Sequence, residues 1–238
     1  MNPDGEPGKR ELAGELRAQR RRSEEKRSKA QVAAMNRGVQ ELASAGLVDG
    51  ALRVGDKASD FTLPNAHGLD LSLNSLLASG SLVVAFYRGG WCPYCNLELR
   101  ALQATLGEIR ALGSSLVAIS PERPDDSLTT AEKHGLDFEV LSDIGNEVAR
   151  SWGLVHAIPD YLREIYARLP ETNGDDSYEL PLPATYVISA DRVVGYAHVD
   201  PDYRRRAEPS DVLEALSAIK AERAEVAAPV HSGSSPSR

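Results

Sequence analysis

The run Leu82-Val83-Val84-Ala85-Phe86-Tyr87 is almost wholly apolar. It is too short to cross a membrane and has the length of a strand. Both alternating sets of its side chains are apolar, so it fits a strand buried on both faces. Such a strand needs a layer on each side, which points to a layered α/β domain. The next residues agree. Arg88-Gly89-Gly90 reads as a turn, and an amphipathic helix follows from about Pro93 to Leu112. Its core side is Leu97, Leu99, Leu102, Leu106, Ile109 and Leu112, and Gly113 ends it. Leu116 to Ile119 is a second buried strand.

The rest of the chain continues this alternation. Phe61 to Leu63 and Leu69 to Leu71 read as short strands around the turn Asn65-Ala66-His67-Gly68. Ser72 to Ala78 reads as a short helix capped by Ser72 or Asn74. Ser127 to His134 is a helix stopped by Gly135, Phe138 to Leu141 a strand, and Asn146 to Trp152 a short helix. Residues 157–180 lack a clear period and form an excursion. Thr185 to Ile188 and Val193 to Val199 make a hairpin turning at Ala190-Asp191-Arg192. Asp211 to about Glu222 is a closing helix. The fold class is α/β, a central mixed sheet flanked by helices.

Composition sets the ends apart. Residues 1–9 are polar, with Pro and Gly, and read as a disordered leader; 224–238 read as a disordered tail. Residues 10–50 form an N-terminal helical extension, continuous from 10 to 45. It carries sparse apolar points (Leu12, Leu16, Val32, Met35, Val39, Leu42) among many i,i+4 charge pairs. It reads as a solvated, partly docked helix, with a homodimer or partner contact as the alternative. Residues 51–223 are the main domain. No apolar leader opens the chain, so the default location is cytoplasmic. The net charge of -8 argues against nucleic-acid or anionic-membrane binding, which need a basic face.

The chain has only two cysteines, Cys92 and Cys95. They close almost no loop, so the pair does little for stability through chain entropy and needs a chemical reason. Zinc usually takes four ligands, and His67, His134, His156, His198 and His231 are scattered. No metal and no cofactor are therefore expected. A redox dithiol fits better, because the pair follows a buried strand, sits behind Trp91 and opens a helix. A helix N-terminus has unsatisfied N–H groups and a positive end, and both favour a thiolate. Pro93 suits the first helical turn. Cys92 then lies at the N-cap and Cys95 one turn inside. Cys92, nearer the helix end, is expected to be the more exposed of the two.

Five blocks in order resemble a known family. They are Val54 to Pro64, Phe86 to Leu99, Ala118-Ile119-Ser120-Pro121, Leu141-Ser142-Asp143 and Pro183 to Ser189. Together they resemble the peroxiredoxin-like branch of the alkyl hydroperoxide reductase/thiol-specific antioxidant family, within the thioredoxin superfamily. The resemblance covers about residues 51–220 and implies a thioredoxin-like fold. It puts the peroxide-attacking cysteine at Cys95. The family's threonine falls at Cys92, its proline at Arg88 and its active-site arginine at Pro183, so neither group that polarises a peroxide is kept. Trp91-Cys92-Pro93-Tyr94-Cys95 and Pro183 look instead like thioredoxin, where a cis proline packs beside the disulfide.

The resemblance implies a thiol-dependent oxidoreductase that reduces peroxides through a Cys92/Cys95 dithiol–disulfide cycle, recharged by a thioredoxin- or glutathione-type reductant. A thioredoxin-like disulfide reductase is the alternative, with Cys92 as nucleophile and a disulfide as substrate. A redox-sensing binding protein, motivated by the extension alone, ranks below both. In supporting roles, Trp91 shields the pair, Tyr94 fills space, and Glu98 caps the helix start or transfers protons. Arg88 is either a cation that acidifies a thiol or a solvated loop residue. Arg204-Arg205-Arg206 reads as a solvated charge run, with a docking patch as the alternative.

Overall fold

In the computed structural model, which describes residues 12–227, the apolar run becomes β3 (Leu82–Phe86), every residue of it buried. It lies at the centre of a five-stranded sheet. β4 (Ser115–Ser120) pairs parallel to it with Val84 opposite Val117, and β5 (Glu139–Ser142) pairs parallel to β4. On the other side β8 (Ala184–Ile188) runs antiparallel, with Val84 opposite Tyr186, and β9 (Val194–Val199) closes that edge. The order is therefore β5-β4-β3-β8-β9, a mixed sheet.

Alternation along β3 divides the core. Val83 and Ala85 face the layer that holds α4 (Pro93–Ala111) and α8 (Pro209–Ala227). Leu82, Val84 and Phe86 face the opposite layer, where Trp152 stands edge-on to Phe86 and Tyr186. β1 (Thr62–Pro64), β2 (Asp70–Ser72), α3 (Leu73–Leu77), α5 (Pro124–His134) and α6 (Glu147–Ser151) lie close to their expected places. Ser72 caps α3, and Gly135 ends α5 in the left-handed region. The excursion is closed at its neck by two short antiparallel strands, β6 (Val155–Ala157) and β7 (Glu179–Pro181). It includes α7 (Leu169–Asn173).

The N-terminal extension departs from its expected form. It is two helices, α1 (Leu12–Glu25) and α2 (Lys29–Ser44), not one. The break falls at Ser28, which makes a capping box with Gln31: each side chain takes the other's backbone N–H. Nor is the extension merely solvated. Leu12 and Leu16 enter the core that holds α4, so these two apolar points are used within the chain. Glu208, the residue before α8, accepts hydrogen bonds from the N–H groups of Leu12 and Ala13 at 3.0 and 2.7 Å. A carboxylate there satisfies orphan donors and meets the positive end of α1. The extension's end is held where Gly153 passes the backbone of Gly50; φ is +73° there, and a Cβ would lie 2.0 Å from the Gly50 carbonyl oxygen. α8 runs on to Ala227, beyond the expected end at Glu222 and four residues into the expected tail. The leader and the rest of that tail lie outside the described residues.

Leu12 is 1% exposed. Leu12→Ala is expected to lower the unfolding free energy by about 2–4 kcal/mol, the usual cost of such a cavity. Urea denaturation followed by circular dichroism checks it; a loss below about 1 kcal/mol would mean that α1 is not part of the cooperative core.

Candidate active site

The turn after β3 delivers both cysteines. Cys92 is the N-cap of α4, with φ −87° and ψ 113°, and Pro93 is the first helical residue. The Cys92 N–H donates to the Gly89 carbonyl at 3.0 Å, and its own carbonyl accepts from Asn96 at 3.1 Å. Both thiols are free. Contrary to expectation neither is exposed: Cys92 is 1% and Cys95 0% accessible. Their difference is one of direction. Cys92 lines a cavity of about 540 Å³, and Cys95 is not among its lining residues.

Two guanidinium groups flank the sulfurs. Arg88 is buried, not solvated, and its Nη1 is 4.0 Å from the Cys92 sulfur. Its Nη2 donates to the Tyr166 hydroxyl at 2.7 Å, and the group stacks 4.3 Å from the centre of the Tyr203 ring. Arg206 faces the other sulfur, with Nη2 3.4 Å from Cys95. Its Nε donates to Glu98 at 2.6 Å, and both side chains are 1% exposed. The charge run 204–206 is thus not solvated as a unit. Arg206 is buried, Arg204 is mostly covered and donates to Asn36 in α2, and only Arg205 is open to solvent.

These neighbours split the two thiols. Burial alone would push the Cys92 thiol up. The Cys95 thiol facing it, and then the charges of Arg88 and Arg206, outweigh burial and bring it down to about 5. Cys95 moves the other way. Burial, the hydrogen it offers to Cys92 and the Cys92 charge hold it well above the usual thiol range, against the pull of Arg206. The reduced pair is a thiolate at Cys92 with a thiol behind it.

Other expected site residues fall in varied places. Trp91 is 39% exposed and stands edge-on to Tyr166 in the cavity wall. Tyr94 is buried edge-on to Tyr203. Glu98 does not cap the helix. It is turned into the core, where it accepts from Thr185 at 3.0 Å and from Arg206. Pro183 is buried next to Ala184, which pairs with Phe86 at the end of β3. Among the described residues no peptide bond is cis, so the bond before Pro183 is trans, against the expectation.

Sequence reasoning missed Glu122, just after β4. It is buried, lines the cavity and accepts from the Gly90 N–H at 2.8 Å. Burial, opposed by that hydrogen bond and helped by the charges of Asp126 and Cys92, pushes its carboxyl up to about 7. Tyr166, Tyr203 and Arg206 were missed as well. Their only early signal was an aromatic and charged composition in segments with no clear period.

A strand, a turn and a helix N-terminus bearing Cys-Pro-Tyr-Cys, in a β5-β4-β3-β8-β9 sheet, define a dithiol protein of the thioredoxin fold. Residues 54–197, more than half of the chain, match the AhpC/TSA family, and the chain belongs to that family. Peroxiredoxin Bcp of Escherichia coli (strain K12) is 30% identical over 103 residues, 43% of this chain and 65% of that protein. The chloroplastic peroxiredoxin Q of Populus jackii is 31% identical over 100 residues, 42% of this chain and 46% of that one. The chain therefore spans less than two thirds of the length of these curated relatives. The crystal structure of the peroxidoxin BcpB of Mycobacterium tuberculosis superposes with a TM-score of 0.58 at 25% identity, covering 71% of this chain and 98% of that one.

The thiolate assignment predicts a measurable titration. Thiolate absorbance of the reduced protein is expected to rise with a midpoint near pH 5, the value at which Cys92 ionises. Cys92→Ser is expected to remove that rise, and the transition that remains then reports Cys95 alone. A wild-type midpoint above about 8, in the range of an ordinary thiol, would contradict it.

Proposed function

We propose that this chain is a thiol-dependent peroxidase working through a Cys92/Cys95 dithiol–disulfide cycle, with a thioredoxin-type dithiol as electron donor. One observation carries the proposal: a thiolate at Cys92 opens onto a cavity large enough for an organic peroxide, with a second thiol directly behind it. Family membership supports the same reading. The resemblance aligns Cys95 with the attacking position. The geometry favours Cys92, because that sulfur carries the charge and faces the open space.

The cycle balances as follows. The Cys92 thiolate attacks the distal peroxide oxygen, the O–O bond breaks, and an alkoxide or hydroxide leaves and takes a proton. Cys92 is now a sulfenic acid. Cys95 attacks that sulfur, the S–O bond breaks, and water leaves as the 92–95 disulfide forms. A donor dithiol then reduces the disulfide by exchange. A reducing compartment such as the cytoplasm suits a site that starts from two free thiols. A glutathione-type donor fits the same chemistry if it can enter the cavity.

A second reading, disulfide exchange with no peroxide step, is favoured by the same pairing of an acidic outer thiol with a buried inner one. Single-turnover assays with the reduced protein and cumene hydroperoxide separate the two. Cys95→Ser is expected to consume one equivalent and to hold a sulfenic acid that dimedone traps at Cys92. Cys92→Ser is expected to be slower than wild type by at least about a hundredfold, since the remaining Cys95 sulfur does not line the cavity through which a peroxide would arrive. Peroxide consumption that survives in Cys92→Ser would move the attack to Cys95. Insulin reduction by a wild-type protein inert to peroxide would favour exchange.

A further inference from the structure

Arg206 is held in place more completely than a partner for Glu98 needs to be. Its Nε donates to Glu98, whose other oxygen is fixed by Thr185. Its Nη1 donates to the carbonyls of Tyr203 and Arg205. With those positions occupied, the guanidinium plane is set, and Nη2 is left aimed at the Cys95 sulfur, 3.4 Å away. Cys95 is the thiol that must attack second, and it does not line the cavity. A buried thiol with no cation beside it would stay protonated and would be a poor nucleophile.

We propose that Arg206 is a catalytic residue of the second step, stabilising the Cys95 thiolate once Cys92 has been oxidised. This rests on the dithiol cycle above. In the reduced state the Cys92 charge, and the hydrogen that Cys95 offers to it, keep the Cys95 proton in place. Oxidation of Cys92 to a sulfenic acid or a mixed disulfide removes that charge and that acceptor together. Among the described residues, the charged or titratable groups that act on Cys95 include Cys92 at the N-cap of α4, Glu98 from α4, Arg206 from the loop before α8, Arg88 from the turn after β3, and Tyr87 beside it. With Cys92 neutral, Glu98 still opposes ionisation and is itself paired to Arg206. The cation in contact with the Cys95 sulfur is Arg206. Cys95 then loses its proton and attacks the Cys92 sulfur. The hydroxide expelled from a sulfenic acid takes up one proton as water; a thiolate expelled from a mixed disulfide leaves as such. The order of events is thereby built in, because the second thiol is activated only after the first has reacted.

The test uses the full chain and Ellman's disulfide, so it does not depend on peroxide. The Cys92 thiolate releases one thionitrobenzoate and forms a mixed disulfide; attack by Cys95 releases the second. In wild type two equivalents appear. In Arg206→Met the second phase is expected to slow by about tenfold or more, one pKa unit being a factor of ten. Its pH midpoint is expected to move up by about one unit or more, and Arg206→Lys is expected to restore part of the rate. A merely structural loss would not move that midpoint. If the unpaired Glu98 unfolds Arg206→Met, the double variant Glu98→Gln/Arg206→Met removes both charges and is read in the same way. A folded variant whose second phase keeps the wild-type rate and pH profile overturns the proposal. A protein inert to cumene hydroperoxide that still shows an Arg206-dependent second phase would sink the peroxidase reading and leave this one standing.

Discussion

A buried guanidinium with no carboxylate beside it is the constraint on which the site depends. Arg88 lies in the core at the end of β3, and among the described residues no Asp or Glu pairs with it. Its contacts are the Tyr166 hydroxyl, the faces of Trp91, Tyr166 and Tyr203, and the Cys92 sulfur. Aromatic faces offset part of the lost hydration of a cation. A buried charge still demands a counter-charge, since burying it alone costs several kcal/mol. The Cys92 thiolate is the nearest candidate. The same requirement explains why Cys92 stays ionised in a place where burial alone would neutralise it. Reactivity at this sulfur and the stability of the turn that carries it are two sides of one electrostatic pairing.

The second ion pair works on the other side of α4. Glu98 and Arg206 neutralise each other inside the core, which lets the charged head of Arg206 approach Cys95 without adding an unpaired charge. Glu98 lies three residues past Cys95, so both side chains leave the same face of the helix. A single helix start therefore presents one sulfur to the cavity and the other to a closed ionic cluster. The unequal acidity of two cysteines only three residues apart follows from that division.

What the sequence made legible is what depends on near neighbours. The β3 run, the span of α4 within a residue, Pro93 in the first helical turn, Ser72 as a cap and Gly135 as a stop all rest on contacts within a few positions. What stayed hidden depends on partners far along the chain. Arg206 reads as part of a solvated run unless Glu98, 108 residues away, is known to meet it. Leu12 and Leu16 look like sparse points on a charged helix until α4 is placed against them. The break at Ser28 was local, a capping box of Ser and Gln, yet the dense charge pairs on either side masked it as continuous helix. The isomer at Pro183 was inferred from resemblance to thioredoxin, and nothing in the adjoining residues carried that information.

The family match ends at residue 197 and begins at 54. Much of what surrounds the reactive sulfur lies outside those limits. Tyr203 and Arg204 line the cavity from beyond one end, and Arg20, Arg27, Val32 and Met35 of the α1–α2 region line it from beyond the other. Arg206 comes from the same distal loop as Tyr203. The shared stretch supplies the sheet, the helix start and the two thiols; the flanking segments supply walls and one of the two cations. Because Cys92 is 1% exposed, the open space in front of it is bounded partly by those segments. The docking of α1, held by Leu12, Leu16 and the Glu208 carboxylate, is then a condition for the shape of the reaction chamber as well as for the stability of the fold. On the proposed peroxidase reading, selectivity between substrates would be tied to parts of the chain that the common family pattern does not include.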